Sequence, residues 1–337
     1  MEKTVLQNSY RIKRKLPLNY DEIVDRDKFI TECYEYGETY LYRLKNAYVT
    51  PYGVVMSNWR VVKEAIYSYQ EKINFYPTFF KKILFNKVRK VPGLSVTATH
   101  VWFPNYYHFT TECLPRLYSL REWADKATLL LPEGTPAFVD EYVKLTGFSK
   151  VVKIPINELA QAEELLLTTH TATSLDHNDA LIREMAGWYK ARVNAGSSSF
   201  RGYENLYISR QRATYRKLLN EDELIAALAP YNFKVVNMED YTVQEQIALL
   251  SQVRNLVAVH GAGMTNLMYM PEGGLMVNLI HEHRYDPAFF TLANALNHDT
   301  VIIQGKAAND DARGPAFDSF SVDVPKIRHY LDLYLKR

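Results

Sequence analysis

From about residue 94 to the C-terminus, short unbroken apolar runs alternate with stretches whose apolar residues recur at helical spacing. Strands buried on both faces read as continuous apolar runs, so this alternation restricts the chain to an α/β fold built on parallel sheets. The runs at 95–101, 127–132, 151–155 and 165–169 read as strands. Between and after them, 108–123 carries Phe109, Cys113, Leu117 and Leu120 on one helical face, and 138–145 and 181–193 follow the same rule. A Gly/Ser-rich, uncharged stretch at 194–199 reads as a linker. After it the alternation restarts with strands at 206–209, 233–237, 255–259, 275–280 and 300–304. Helices are expected at 220–228, 243–251, 264–270, 286–296 and 326–335, the first opened by a capping box of Asn220 and Glu223. The expectation is two Rossmann-like, doubly wound domains, 1–195 and 200–337, facing each other across a cleft that holds the ligand. Residues 1–50 are polar, Tyr-rich and weakly periodic, and the first strand is expected at 53–56.

Composition excludes several function classes. The 337 residues are 47% hydrophobic and 23% charged, which rules out disorder, and the net charge of +2 is too small for general nucleic-acid binding to be the default reading. The two cysteines, Cys33 and Cys113, have no second Cys or His at ligand spacing, which argues against a disulfide framework and a cysteine-based zinc site. No stretch resembles a secretory leader or reaches the roughly 18 apolar residues of a spanning helix. The expectation is a cytoplasmic protein, soluble or peripheral at the inner face of a membrane.

Three segments carry the chemistry. The strand Asn255–Val259 runs into His260-Gly261-Ala262-Gly263-Met264-Thr265-Asn266. A strand that enters a Gly-x-Gly turn and then a helix aims free backbone N–H groups and a positive helix end at one point, which suits a phosphate. His260 can donate to the same anion, with Thr265 and Asn266 in the first turn; the bland alternative is a tight turn that uses glycine for shape. A dinucleotide site is disfavoured because the next strand ends in Asn278 and His281 where a ribose-binding acid is wanted. In the second segment Arg210, Arg212, Arg216 and Lys217 follow a strand and precede a helix. Guanidinium forks suit a pyrophosphate, although such a run can equally be a solvated loop. In the third, His108 and Glu112 stand four apart near a helix start, so either can serve as a general base, or the pair can be structural. A further stretch, 79–90, threads five cations through six large apolar residues, as either a packed amphipathic helix or a contact with an anionic membrane.

Together the three segments resemble glycosyltransferase family 61. Asn105, Tyr106, Tyr107, His108, Leu114, Pro115, Arg116 and Leu117 match the first motif of that family. Ile208-Ser209-Arg210 with Arg216, Lys217 and Asn220-Glu221 match the second, and His260 through Asn266 with Met270-Pro271 and Gly273 the third. Glu112 stands where the family commonly has Asp, and Asn278 where it often has an acid. The resemblance implies a GT-B architecture and an inverting transferase moving a sugar from a nucleotide diphosphate donor, a uridine diphosphate sugar, to a hydroxyl of a glycan or lipid-linked glycan in surface polysaccharide (capsule) biosynthesis. Donor contacts would come from Arg210, Arg216 or Lys217, His260, Gly261, Ala262, Gly263, Thr265 and Asn266, and the base would be Glu112 or His108. No metal or other cofactor is expected, since Asp25-Arg26-Asp27, which fits a metal-binding pattern, lies in the N-terminal segment. The rival class is a non-catalytic nucleotide-sugar-binding protein of the same fold, which would have no transfer to lose on removal of the Glu112 carboxylate.

Overall fold

A computed structural model describes residues 2–67, 70–193 and 200–335, so the 194–199 stretch read as a linker lies outside the described residues. The chain forms two compact units, one of Met1–Arg11 with Glu35–Asn178, the other of Ile12–Tyr34 with Asp179–Arg337. The division therefore falls at Asn178/Asp179 and not between 195 and 200. Helix Asp179–Arg192 belongs to the second unit, where Arg183 donates to the Ala295 carbonyl at 2.8 Å. The N-terminal segment is divided as well. Asn19 brackets Ile302, donating to its carbonyl at 2.6 Å and accepting from its amide at 3.0 Å, and Ile23, Phe29 and Ile30 pack with Ile280, Phe290 and Ile302.

In the first unit the main sheet runs in the order Arg60–Val61, Val55–Ser57, Thr39–Val49, Leu159–Thr168, Val88–Thr97, Thr128–Pro132, Val151–Ile154. The last four strands are parallel, and Thr39–Val49 joins antiparallel to Leu159–Thr168. Strand Glu2–Gln7 pairs with Thr39–Val49, so the weakly periodic N-terminus contributes two strands to this sheet that its pattern did not announce, and Tyr10–Lys13 and Cys33–Tyr36 pair as a separate small sheet. The reason lies in the longer strand. Its buried residues at Tyr42 and Leu44 change phase before Ala47 and Val49, because Asn46 takes a left-handed φ of 48°.

The second unit holds five parallel strands in the order Lys234–Val236, Asn205–Ile208, Asn255–Val259, Leu275–His281, Asp299–Ala307, with Phe320–Ser321 antiparallel at the end. Leu275–His281 is buried throughout, as a central parallel strand covered on both faces must be. Three local expectations changed. Asn220 makes no capping box; its side chain instead donates to the Val322 carbonyl and accepts from the Val322 amide. A capping box forms at Thr242 and Glu245, opening helix Val243–Leu250. The helix expected at 264–270 is a 3₁₀ helix, Ala262–Tyr269.

Each parallel sheet reverses its strand order once. In open α/β sheets the crevice beyond the carboxyl ends of the strands at such a reversal is where ligands bind. The reversal lies between Val88–Thr97 and Leu159–Thr168 in the first unit, and between Asn205–Ile208 and Asn255–Val259 in the second.

Candidate functional site

In the second unit the two strands at the reversal deliver Ser209-Arg210 and His260-Gly261 to the same edge. Arg216 follows on the loop after Arg210 and is buried. Its Nε donates to the Ala316 carbonyl at 3.0 Å, and its Nη1 donates to the carbonyl of His260 itself. Arg210 donates from Nη2 to the Tyr215 carbonyl at 3.2 Å, and its backbone is fixed by Glu221, which also accepts the Tyr207 hydroxyl. A Cβ on Gly261 would stand 2.5 Å from Arg210 Nη1, so the missing side chain is what lets this guanidinium approach the turn.

Two residues that sequence reasoning missed complete the cluster. Arg284 and Asp286 follow strand Leu275–His281, and Arg284 Nη2 donates to Asp286 Oδ2 at 2.6 Å. The same oxygen lies 3.1 Å from Nε2 of His260, whose Nδ1 accepts from the Asn278 amide at 3.2 Å. Those partners place the proton of His260 on Nε2. Burial holds this imidazole below its ordinary pKa against the pull of Asp286, so it is neutral. Burial would raise the carboxyl of Asp286, but His260 and Arg284 outweigh it and keep the group ionised.

The cluster has an excess of positive charge. Burial first, then repulsion from Arg284 and Arg210, pushes Arg216 down to about 9, and burial likewise lowers Arg210. Arg210 Nε and Arg284 Nε and Nη1 are buried and lack partners among the described residues. Buried donors without acceptors are costly, and three guanidinium groups in one place fit an anion with several oxygens. The first turn of the 3₁₀ helix adds leading N–H groups at Ala262 and Gly263, which have no acceptor within the helix.

Not every expected residue reaches this point. Thr265 is buried and donates to the Ala262 carbonyl at 2.6 Å, and Asn266 donates to Gln246 and to the Gly263 carbonyl. Both brace the turn from inside. Lys217 is exposed, with no contact to the arginines among the described residues, so Arg216 is the cation that joins them.

In the first unit, Asn105 caps the segment that carries His108, accepting from the Tyr107 amide at 2.9 Å. The expected single helix is broken. Tyr106–His108 leads into one π turn, Phe109–Cys113, before α geometry resumes at Leu114–Ser119. Such π turns recur at functional sites because they re-aim a side chain, and this one contains Glu112. Its Oε2 lies 3.0 Å from both His108 Nδ1 and His100 Nε2, and its Oε1 accepts from Ser174 at 3.1 Å.

His100 and His170 were not expected from the sequence. They stand just beyond the carboxyl ends of the two strands at the reversal, and Tyr67 joins them, stacked on His100 at 4.1 Å and edge-on to His170 at 5.4 Å. The Trp102 amide donates to His100 Nδ1, so the His100 proton sits on Nε2 toward Glu112. Burial keeps both His100 and His170 below the ordinary imidazole range. Burial would raise the Glu112 carboxyl, but contacts from His100 and His108 reverse that and hold it well below the usual carboxylate range. Ionised Glu112 can only accept, so His108 donates from Nδ1, and the lone pair of its neutral form is the one on Nε2.

His108 is also the more open of the pair, 19% exposed against 6% for Glu112, with the exposed ring of Trp102 6.0 Å away. Beneath them Arg116 is wholly buried. It ties the ends of the two strands by donating to the carbonyls of Ala98 and Thr168, and burial pushes it down to about 10.

A sequence profile described as Glycosyltransferase 61 matches residues 106–277, just over half of the chain, and takes in His108, Glu112, Arg210, Arg216 and His260 but not His100, Arg284 or Asp286. The chain belongs to glycosyltransferase family 61. Among curated proteins it is similar to protein O-linked-mannose beta-1,4-N-acetylglucosaminyltransferase 2. It is 26% identical to the Homo sapiens protein over 237 residues, covering 60% of this chain and 40% of the relative. To the Danio rerio protein it is 31% identical over 246 residues, with the same coverages. It is 30% identical over 139 residues to the EGF domain-specific O-linked N-acetylglucosamine transferase of Drosophila melanogaster, covering 37% of this chain and 26% of that one. The match thus covers well under half the length of these curated relatives.

Proposed function

We propose that the chain is an inverting glycosyltransferase of GT-B type, in which the second unit binds a nucleotide diphosphate sugar and the first supplies the base for the acceptor hydroxyl. The reading rests on the cluster of Arg210, Arg216 and Arg284 at the reversal of an otherwise parallel sheet, in which Arg210 Nε and Arg284 Nε and Nη1 are buried without acceptors among the described residues. A diphosphate provides oxygens on several sides and carries the charge that this cluster lacks.

The step follows from the chemistry of the two sites. The acceptor hydroxyl gives its proton to His108 Nε2, its oxygen attacks the anomeric carbon, and the carbon–oxygen bond to the diphosphate breaks with inversion. The electron pair leaves on the diphosphate oxygen. Arg210, Arg216, Arg284 and the amides of the 262–263 turn stabilise that developing charge, as donors in an oxyanion hole do. Glu112 does not take the proton in this scheme: with its oxygens engaged by His100, His108 and Ser174, it holds the His108 tautomer and stabilises the imidazolium that forms. Trp102 offers a ring face beside the base on which an acceptor sugar can stack. The cations do the work a metal would otherwise do, so transfer should not need one.

The donor proposed is a uridine diphosphate sugar, with an N-acetylhexosamine as the first sugar to try, since the relatives are named for that transfer. Their names also point to protein-borne glycans, so O-mannosyl peptides belong in the acceptor panel beside lipid-linked and polysaccharide acceptors. Titration calorimetry with uridine diphosphate in the presence of a chelator tests the reading. Binding that weakens at least tenfold in Arg210→Ala is expected. Binding that is unchanged in that variant, or that appears only with a divalent metal, overturns it.

A further inference from the structure

The first unit also carries a surface that neither cluster uses. Helix Tyr76–Leu84 seats Phe79 in a buried group with Val54, Met56 and Leu159, which would satisfy an ordinary amphipathic helix. Yet a second apolar row faces outward: Phe80 is 47% exposed, Leu84 79% and Phe85 63%. Beside it, Trp59 at the tip of a hairpin is 60% exposed and stacks on Phe80 with ring centres 6.1 Å apart, and Tyr76 stacks on the same ring.

The hairpin holds Trp59 at some cost. Asn58 and Trp59 form the two-residue turn between Val55–Ser57 and Arg60–Val61, with φ of 49° and 60°. Left-handed backbone suits Asn but is a rare conformation for a bulky residue, and the second position of such a turn is usually glycine. Folding alone does not call for tryptophan here.

Charge indicates what covers the row. Residues 58–60 and 72–90 contain seven cations and no carboxylate, in a chain whose net charge is only +2. Lys82 and Arg89 are bonded to carbonyls of their own unit, and Arg89 also lies 3.8 Å from Glu158, whereas Lys81 and Lys87 are exposed in the segment that carries the apolar row. We propose that this surface docks on an anionic lipid bilayer, with Trp59, Phe80, Leu84 and Phe85 entering the boundary between headgroups and acyl chains and the lysines against lipid phosphates. A plane of phosphates over hydrocarbon matches exposed lysines next to exposed apolar rings, and aromatic side chains favour that depth. A glycan would use the ring faces but has no use for Leu84, the most exposed of the row.

Flotation of the full chain with vesicles of phosphatidylcholine, alone or with about one third phosphatidylglycerol, tests this. The chain should float with the anionic vesicles, less with the neutral ones, and less as salt rises. Leu84→Ser with Phe85→Ser should lower the bound fraction at least tenfold. Lys81→Gln with Lys87→Gln should lower it about fivefold for each lysine and flatten the salt dependence. All four side chains are exposed, so unchanged melting and unchanged binding of uridine diphosphate should show that the variants fold. Absence of flotation with anionic vesicles, the outcome expected if a protein or glycan covers the surface, overturns the proposal, as does flotation of the folded variants equal to that of the parent.

Discussion

The two strand-order reversals of this molecule carry the same pair of side chains in opposite settings. In each unit an imidazole just past the end of a strand stands about 3 Å from an ionised, nearly buried carboxylate, His100 with Glu112 in the first and His260 with Asp286 in the second. Around Glu112 the further partner is a second imidazole, His108, with an open ring edge. Around Asp286 the further partner is a guanidinium group, that of Arg284, and the imidazole is closed in, 2% exposed. The first arrangement can move a proton; the second can hold an anion. A histidine–carboxylate pair is thus not a function by itself, because its neighbours decide whether a lone pair reaches the substrate.

The sharpest way to break this contrast is to remove the base. His108→Ala should lower transfer by about 10²- to 10⁴-fold while leaving the affinity for uridine diphosphate unchanged. Transfer within tenfold of the parent, measured by product chromatography, would assign the base elsewhere. The mirror experiment is Arg210→Ala, which should weaken the diphosphate by about tenfold or more in calorimetry, an effect His108→Ala must not share. Smaller still should be Gly261→Ala. Its φ of 178° is open to any residue, so the fold should survive, but the new Cβ displaces Arg210, and the affinity should fall by about three- to tenfold. An unchanged affinity in that variant would detach Arg210 from the turn.

The smallest effect at neutral pH is on stability, and the two sites should contribute alike. His100 and His260 have folded pKa values below the unfolded value of about 6.5, so the unfolded chain binds more protons as pH drops below that point. Their share of stability is therefore present above about pH 6.5 and lost as the pH falls. Glu112 and Asp286 are also depressed, so theirs is present above about pH 4.5 and lost at lower pH. Urea midpoints measured from pH 7.5 to 4 should decline below about 6.5, and Glu112→Gln should flatten the curve only at its acid end. A midpoint that rises on acidification would contradict the neutral assignment of both imidazoles.

Much of this was legible along the chain. Apolar runs such as Asn255–Val259 named their strands because a central parallel strand is buried on both faces, and Gly261 marked the turn because a guanidinium crowds it. The capping box at Asn220 misled, since Val322, 102 residues away, claims its side chain. The π turn at Phe109–Cys113 leaves almost no trace in apolar spacing, and Asn46 hid a strand by shifting its phase.

Local apolar and polar order, which reports whether each side chain is buried, was enough to establish the strand–helix alternation, the glycine turn and the cations after Ile208. Which charges meet was left to the tertiary structure. His100 and Glu112, His260 and Asp286, and Arg216 and Arg284 become neighbours only once the order of strands in a sheet is known, and the attraction or repulsion of such groups depends on separation in space, not along the chain.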